Sequence, residues 1–187
     1  MGPCVRYPSV IQPLLLLGLC LALNATAFSG EAGSRAEYEL KAAFLFNFSR
    51  FVAWPQEQAE RDFFICVLGR DPFGVHLEAL AGRKAADRHI RVLRAASIAE
   101  AQGCRILFIA GDSTDEVVSL VTSFKGRPIL SVSDHQGFAL GGGIIELVQD
   151  KERLGFEINL EAARRNGLDI SSKLLQLARK VYLNRSP

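Results

Sequence analysis

The sequence predicts one α/β domain with three layers, in which helices cover both faces of a mostly parallel sheet and a C-terminal β-hairpin lies at its edge. Two observations support this prediction. Over the first two thirds of the chain, short apolar runs alternate with helical patterns, as in folds whose parallel strands are joined by crossover helices. Between Phe138 and Leu160, by contrast, the chain has no room for a crossover helix, which favours an antiparallel hairpin.

The first predicted helix runs from Ala36 to Ala53, because apolar side chains recur there with the period of an α-helix and Pro55 ends the pattern. Its predicted core face consists of Leu40, Phe44, Phe48, Phe51 and Val52.

Four strands and two further helices are predicted next. Each strand is a short apolar or alternating run, and the first and third strands are each followed by one of the helices. The predicted strands are Phe63–Gly69, His89–Ala95, Cys104–Gly111 and Arg127–Asp134, and the helices are Gly74–Leu80 and Thr114–Phe124.

The last third of the chain is predicted to form the hairpin and two helices. Two alternating runs, Gly143–Gln149 and Arg153–Leu160, flank the polar turn Asp150–Glu152. A short helix stops at Gly167, and the final segment is predicted as a helix behind a serine cap. The apolar stripe of that last helix is Leu174, Leu175, Ala178 and Val181.

The amino terminus has the pattern of a secretory signal peptide over residues 1–27. Arg6 precedes the apolar run Leu14–Leu23, and Ala25-Thr26-Ala27 supplies small residues for cleavage. That run of ten residues is half of the roughly 20 that a membrane-spanning helix needs. Residues 28–187 are therefore predicted to be a single exported domain that does not itself span the membrane.

The charge balance of the chain does not favour nucleic acid or an anionic membrane surface as a partner. The chain has 22 basic and 20 acidic residues, and the predicted signal holds one of the basic ones. A nearly neutral domain gives no electrostatic reason to expect nucleic acid or an anionic membrane surface as a partner.

Two cysteines, Cys66 and Cys104, remain after removal of the predicted signal. An even pair in an oxidising compartment is a disulfide candidate, and two buried free thiols are the alternative. In doubly wound sheets the first and third βα units are commonly neighbours, which would bring the two cysteines together. The topology and the cysteine count support each other without proving the bond.

No catalytic, metal or cofactor site is predicted. The three histidines have no zinc-ligand spacing, and the run Ser133–His135 contains hydrolase residue types whose side chains would point in different directions. The loop Gly69–Gly74 follows a strand as a phosphate-binding loop would, but it lacks the G-x-G-x-x-G pattern. The glycines at Gly141–Gly143 have no helix after them and predict a bulge or a sharp turn.

Three residues near the first helix are the predicted partner-binding residues. Phe46 falls almost opposite the predicted core face, close to Arg50, and Trp54 follows the helix. Aromatic and arginine side chains are enriched in protein interfaces, which favours a partner-binding role for Phe46, Arg50 and Trp54. Cover of Phe46 by a neighbouring loop or helix is the alternative.

Five segments together resemble, in the same order, the YfiR family of exported bacterial proteins. The resemblance spans residues 36 to 181, and the segments are Ala36–Pro55, Phe63–Gly74, Gly103–Ala110, Leu130–Val148 and Leu154–Arg179. It implies a periplasmic α/β domain without enzymatic activity that holds an inner-membrane diguanylate cyclase inactive by binding its periplasmic sensor region. It also implies a disulfide between Cys66 and Cys104, whereas a second cysteine pair of some relatives is absent from residues 141–156.

The leading hypothesis is therefore a non-catalytic periplasmic regulator that lowers cyclic-di-GMP output by binding a membrane signalling protein. A periplasmic receptor for a small ligand, bound at the carboxyl ends of the strands, is the second hypothesis. An enzyme is the third. The sequence leaves a homodimer open and indicates no cofactor.

Overall fold

The structure, a computed structural model, describes Gly2 and residues 28–55, 62–150 and 153–183. The chain divides into two compact units, Met1–Ala36 and Glu37–Pro187. The predicted signal peptide, except for Gly2, lies outside the described residues, and so do Lys151 and Glu152 of the predicted hairpin turn.

The described residues form five helices and ten strands. The helices are α1 (Phe28–Phe51), α2 (Val75–Glu78), α3 (Thr114–Thr122), α4 (Leu160–Arg165) and α5 (Ser172–Leu177). The strands are β1 (Val52–Ala53), β2 (Asp62–Leu68), β3 (Lys84–Ala85), β4 (Arg88–Ala95), β5 (Ile106–Ile109), β6 (Leu130–Ser133), β7 (Ile145–Asp150), β8 (Arg153–Asn159), β9 (Asp169–Ile170) and β10 (Lys180–Tyr182). A 3₁₀ turn, Glu100–Gly103, precedes β5.

Eight of the strands form one mixed sheet in the order β10-β8-β7-β6-β5-β2-β4-β3. The neighbours from β4 to β7 are parallel, as are β8 and β10, whereas β3 and β8 run antiparallel to β4 and β7 respectively. The chain leaves β2 for β4 on one side and returns to β5 on the other side. The sheet therefore has a topological switch point between β2 and β5, where open α/β sheets usually bind ligands.

The hairpin lies one strand inside the sheet rather than at its edge. β7 and β8 form the predicted antiparallel pair, with Ile145 opposite Ile158. However, β10 pairs with the outer side of β8, placing Lys180 beside Glu157. The prediction that the last helix continues through Val181 is wrong, because Lys180–Tyr182 form the strand β10. That helix ends at Leu177, because Ala178 has an extended backbone with ψ of 138°.

An apolar cluster lies on each face of the sheet. Alternate side chains of β2 separate into the two clusters, with Ile65 and Val67 on the α1 side and Cys66 on the α3 side. Because β2 and β5 are neighbours, Cys66 and Cys104 lie with their Cα atoms 6.0 Å apart and form the predicted disulfide.

The buried face of α1 differs from the predicted one. Leu40 is 46% exposed, and Phe44 and Phe51 are only half-buried. The buried face consists of Lys41, Ala42, Leu45, Phe48, Ser49 and Val52. The buried face is rotated around the helix axis relative to the predicted one, because the charged Lys41 side chain is buried and forms an ion pair with Asp134 at the carboxyl edge of the sheet.

A two-stranded ribbon joins the end of α1 to the last part of the chain. Val52 pairs with Ile170 in the antiparallel ladder of β1 and β9. The Ser171 N–H also donates a hydrogen bond to the Phe51 carbonyl at 2.9 Å. The carboxyl end of α1 is thus fixed by backbone hydrogen bonds as well as by its buried side chains.

Candidate functional site

A cleft of about 270 Å³ lies at the carboxyl ends of β2, β5 and β6. Its walls are Tyr38 of α1, the loop Gly69–Pro72 after β2, the loop Ala110–Asp112 after β5, and Asp134 and His135 after β6. We call it the switch-point cleft, because it lies where β2 and β5 are neighbours in the sheet.

The close approach of the two loops depends on Gly69. This glycine has φ of 96°, and a Cβ atom added to it would lie 2.3 Å from the carbonyl oxygen of Ala110. The Ala110 N–H in turn donates to the Leu68 carbonyl at 2.9 Å. A side chain at position 69 would therefore strain the backbone and force β2 and β5 apart at the base of the cleft.

The loop after β2 is held by a carboxylate of the protein itself. Asp71 accepts hydrogen bonds from the N–H groups of Phe73 at 2.7 Å and Gly74 at 3.3 Å, and its second oxygen accepts one from Arg94 Nε at 2.7 Å. Arg94 also pairs with Glu78. The two amides that a phosphate group would need are therefore already occupied, which argues against a phosphate-binding role for this loop.

A buried lysine crosses from α1 to the floor of the cleft. Lys41 is 3% exposed, and its ammonium group forms ion pairs with Asp134 at 2.5 Å and with Glu37. The Tyr38 hydroxyl donates to the same Asp134 carboxylate at 3.4 Å. One cation thus pairs with two carboxylates, and the cluster joins the part of α1 around Lys41 to the end of β6.

The charge state of this cluster is set by its burial and its hydrogen bonds. Burial opposes the charge of Lys41, but hydrogen bonds with Asp134 and Glu37 outweigh that effect, so the pKa of Lys41 is above its ordinary value of 10.5. Burial raises the pKa of Tyr38, and the Asp134 carboxylate raises it further. At neutral pH, Lys41 is therefore charged and the Tyr38 hydroxyl keeps its proton.

This cluster was not predicted from the sequence, although the sequence contains one signal for it. Lys41 lies at helical spacing from Leu45 and Phe48, so it interrupts an apolar face, and a lysine at such a position needs a buried partner. From the sequence, Asp134 was considered only as part of the run Ser133–His135.

The run Ser133–His135 has no hydrolase geometry. The Ser133 hydroxyl is buried and donates to the Ile109 carbonyl at 2.8 Å, and Asp134 is paired with Lys41. The His135 Nε2 atom lies 2.7 Å from the Gly111 carbonyl, not from the serine or the aspartate. These bonds hold the loops after β5 and β6 together. Among the described residues, no group of three potential metal ligands comes together.

A second and wider cleft of about 610 Å³ lies on the hairpin end of the sheet. Its lining includes Glu146, which is 4% exposed and accepts hydrogen bonds from the N–H groups of Gly137 and Ala139 at 3.0 and 3.1 Å. The Tyr182 hydroxyl donates to Glu157 at 2.5 Å, and burial together with this carboxylate raises the pKa of Tyr182 to about 12. The polar groups of this cleft are therefore engaged in holding the protein's own loops and strands.

The three predicted partner-binding residues are held by different elements. Phe46 is half-buried, and the guanidinium carbon of Arg83 lies 3.7 Å from its ring centroid, so a neighbouring loop covers part of the ring. Arg50, one turn further along α1, is exposed. Trp54 is half-buried against Phe63, with ring centroids 5.1 Å apart. Its buried Nε1 atom has no hydrogen-bond acceptor within the described part of the chain.

Two solved structures align with part of this chain. One is an ABC domain from Streptococcus pneumoniae in complex with L-Trp, at 15% identity and a TM-score of 0.43, covering 64% of this chain and 55% of the other. The second is a conserved domain protein from Vibrio cholerae, at 12% identity and a TM-score of 0.46, covering 77% of this chain and 60% of the other. The chain thus spans little more than half the length of these two structures.

Two observations bear on the class of protein. In the described segments, no helix combines the length and the apolar composition needed to cross a membrane. The family model described as YfiR/HmsC-like matches residues 38–179, which include the switch-point cleft, the disulfide and the ribbon of β1 and β9. The chain therefore belongs to the YfiR/HmsC-like family.

Proposed function

We propose that this protein is a non-catalytic periplasmic regulator that binds the periplasmic sensor region of an inner-membrane diguanylate cyclase and lowers cyclic-di-GMP output. Membership of the YfiR/HmsC-like family is the observation that carries the proposal. The geometry agrees with it, because the polar side chains described above at the carboxyl edge bind one another or the backbone. Lys41, Asp71 and Glu146 each have a structural partner.

The proposal includes the location and extent of the mature protein. Residues 1–27 act as a signal peptide, and residues 28–187 fold after export as a single three-layer α/β domain. The disulfide between Cys66 and Cys104 supports an oxidising compartment, since such bonds are rare in the cytosol.

Phe46, Arg50 and Trp54 are the proposed contact residues for the partner. Arg50 is exposed and Phe46 keeps part of its ring accessible beside Arg83, as expected for an aromatic and arginine surface. Trp54 is half-buried, so part of its surface remains accessible to a partner.

The test combines a genetic and a biochemical measurement. Deletion of the gene should raise cellular cyclic-di-GMP, and a tagged full-length copy should restore the low level and retain a membrane protein with a cyclase domain in pull-downs. An Arg50→Glu copy should restore it less well, whereas Arg88→Glu, a charge reversal on β4, should behave as the wild type. Unchanged cyclic-di-GMP after deletion, together with pull-downs free of any signalling protein, would remove the proposal.

A receptor for a small ligand is the second candidate function, and the switch-point cleft is the observation that favours it. The cleft lies at the carboxyl ends of parallel strands and has a volume of about 270 Å³, close to the lower end of typical ligand sites. Thermal-shift screening with small metabolites separates the two functions. A compound that raises Tm progressively as its concentration increases, and no longer does so in Gly69→Ala, would favour the receptor.

A further inference from the structure

We propose that the solvent-facing side of α1 binds an amphipathic helix of the partner protein, packed lengthwise against it. This inference rests on the proposed function and specifies how the partner is bound. The surface consists of Leu40, Ala43, Phe44, Asn47 and Phe51, and we call it the outer face of α1.

The spacing of these residues makes them one strip. They lie 3, 4, 7 and 11 positions after Leu40, which on an α-helix places them along a single side. Leu40 is 46% exposed, Ala43 and Asn47 are exposed, and the rings of Phe44 and Phe51 are half-buried. The strip is about 16 Å long, or three turns, which is enough for the anchors of a short helical segment.

The outer face is already ordered without a partner. The Phe44 ring packs against Phe48 and Phe156, with ring centroids 5.9 Å and 5.5 Å away respectively. The Lys41 ion pairs fix the helix on one side, and the ribbon of β1 and β9 fixes it at its end. A rigid apolar strip reduces the entropy that a partner must lose on binding.

The charges beside the strip indicate the chemistry of the occupant. Glu39 and Arg50 lie on the same flank of α1, 11 residues apart, and neither forms an ion pair with another described residue. A helix with apolar residues at three- and four-residue spacing, a basic residue facing Glu39 and an acidic residue facing Arg50 would complement both the strip and its flank. An extended strand would not, because α1 offers it no free backbone groups to pair with.

Site-specific photocrosslinking in cells tests the geometry directly. A benzoylphenylalanine residue is placed at position 40, 43 or 47 of the full-length protein, and at position 75 or 177 as a control, since Val75 and Leu177 are 75% and 68% exposed and lie on two other helices. We expect cross-links from the first three positions to one membrane protein, at partner residues three or four apart. Partner residues two apart, or cross-links to a second copy of this chain, would overturn the inference.

The partner that cross-linking identifies is then purified in detergent without a cross-link, and its affinity for this protein completes the test. Leu40→Glu should weaken binding by about tenfold or more, because it places a charge in an apolar contact, and Leu177→Glu should leave binding unchanged. Arg50→Glu should weaken binding at low salt and flatten its salt dependence. Near-native affinity of Leu40→Glu, with the folded state verified by Tm, would refute the helix contact but leave the proposed function intact. A wild-type protein that binds no signalling partner would refute both.

Discussion

Loss of the bond between Cys66 and Cys104 should remove a large part of the stability of the fold. The two cysteines are 38 positions apart, and closing a loop of that length is worth about 4 kcal/mol in the chain-entropy model. Both residues are buried in the apolar cluster on the α3 side, at 0% and 2% exposure. Replacing them with alanine also removes packing, at about 0.8 kcal/mol for each buried group of methylene size. The pair Cys66→Ala/Cys104→Ala should therefore be destabilised by about 5 to 6 kcal/mol.

Urea denaturation of three samples separates the two contributions. Oxidised wild type, wild type in reductant and the alanine pair are compared by circular dichroism, with free thiols counted in each sample. The reduced wild type should lose about 4 kcal/mol, and the alanine pair slightly more. If the reduced wild type differs from the oxidised form by less than about 1 kcal/mol while the thiol count shows an intact bond before reduction, the loop-closure reasoning is wrong.

Three further predictions concern charge and backbone geometry. Lys41→Met should destabilise the fold by about 2 kcal/mol, less than for a fully buried pair, because Asp134 is 22% exposed and regains water. The pKa of Lys41 in the folded state is raised above 10.5. The difference in unfolding free energy between wild type and Lys41→Met, measured by urea denaturation, should therefore be constant from about pH 7 to 10 and decline as the pH rises through the folded-state pKa. A decline of this difference towards acid within that range would contradict a charged, ion-paired Lys41. In a Tyr38→Phe background, the phenol absorbance of Tyr182 should titrate near 12, and Glu157→Gln should lower that midpoint; an unchanged midpoint would exclude the Glu157 hydrogen bond as a cause. Gly69→Ala should cost about 2 to 3 kcal/mol in denaturant unfolding, whereas Gly103→Ala, with open space around its Cβ, should be neutral within about 0.5 kcal/mol; equal effects would refute the close contact with Ala110.

The order of the central strands β2, β4, β5, β6, β7 and β8 was predictable because the relevant signals are local. The apolar runs at β2, β5 and β6 are short and bounded by Gly, Pro or polar residues, so their type and position follow from the sequence. General rules of parallel-sheet topology predicted that β2 and β5 are neighbours in the sheet. This arrangement places Cys66 and Cys104 close together, as predicted.

Features that depend on tertiary partners were not predictable in the same way. Leu40 has the right spacing for the core, but its exposure results from Lys41 turning inward towards Asp134, 93 positions away. Val181 also fits a helical stripe, yet the free side of β8 binds that segment as β10. In both cases a long-range contact outweighs a local pattern that was itself correctly identified.

The ribbon of β1 and β9 has a consequence for the order of folding. Val52 can pair with Ile170 only after the chain has been synthesised as far as residue 170, and Lys41 can pair with Asp134 only after residue 134 has been added. Contacts of such sequence separation form late, because their loop entropy must be overcome first. An incomplete chain therefore leaves α1 without two of its attachments, and during synthesis this helix stays loosely held.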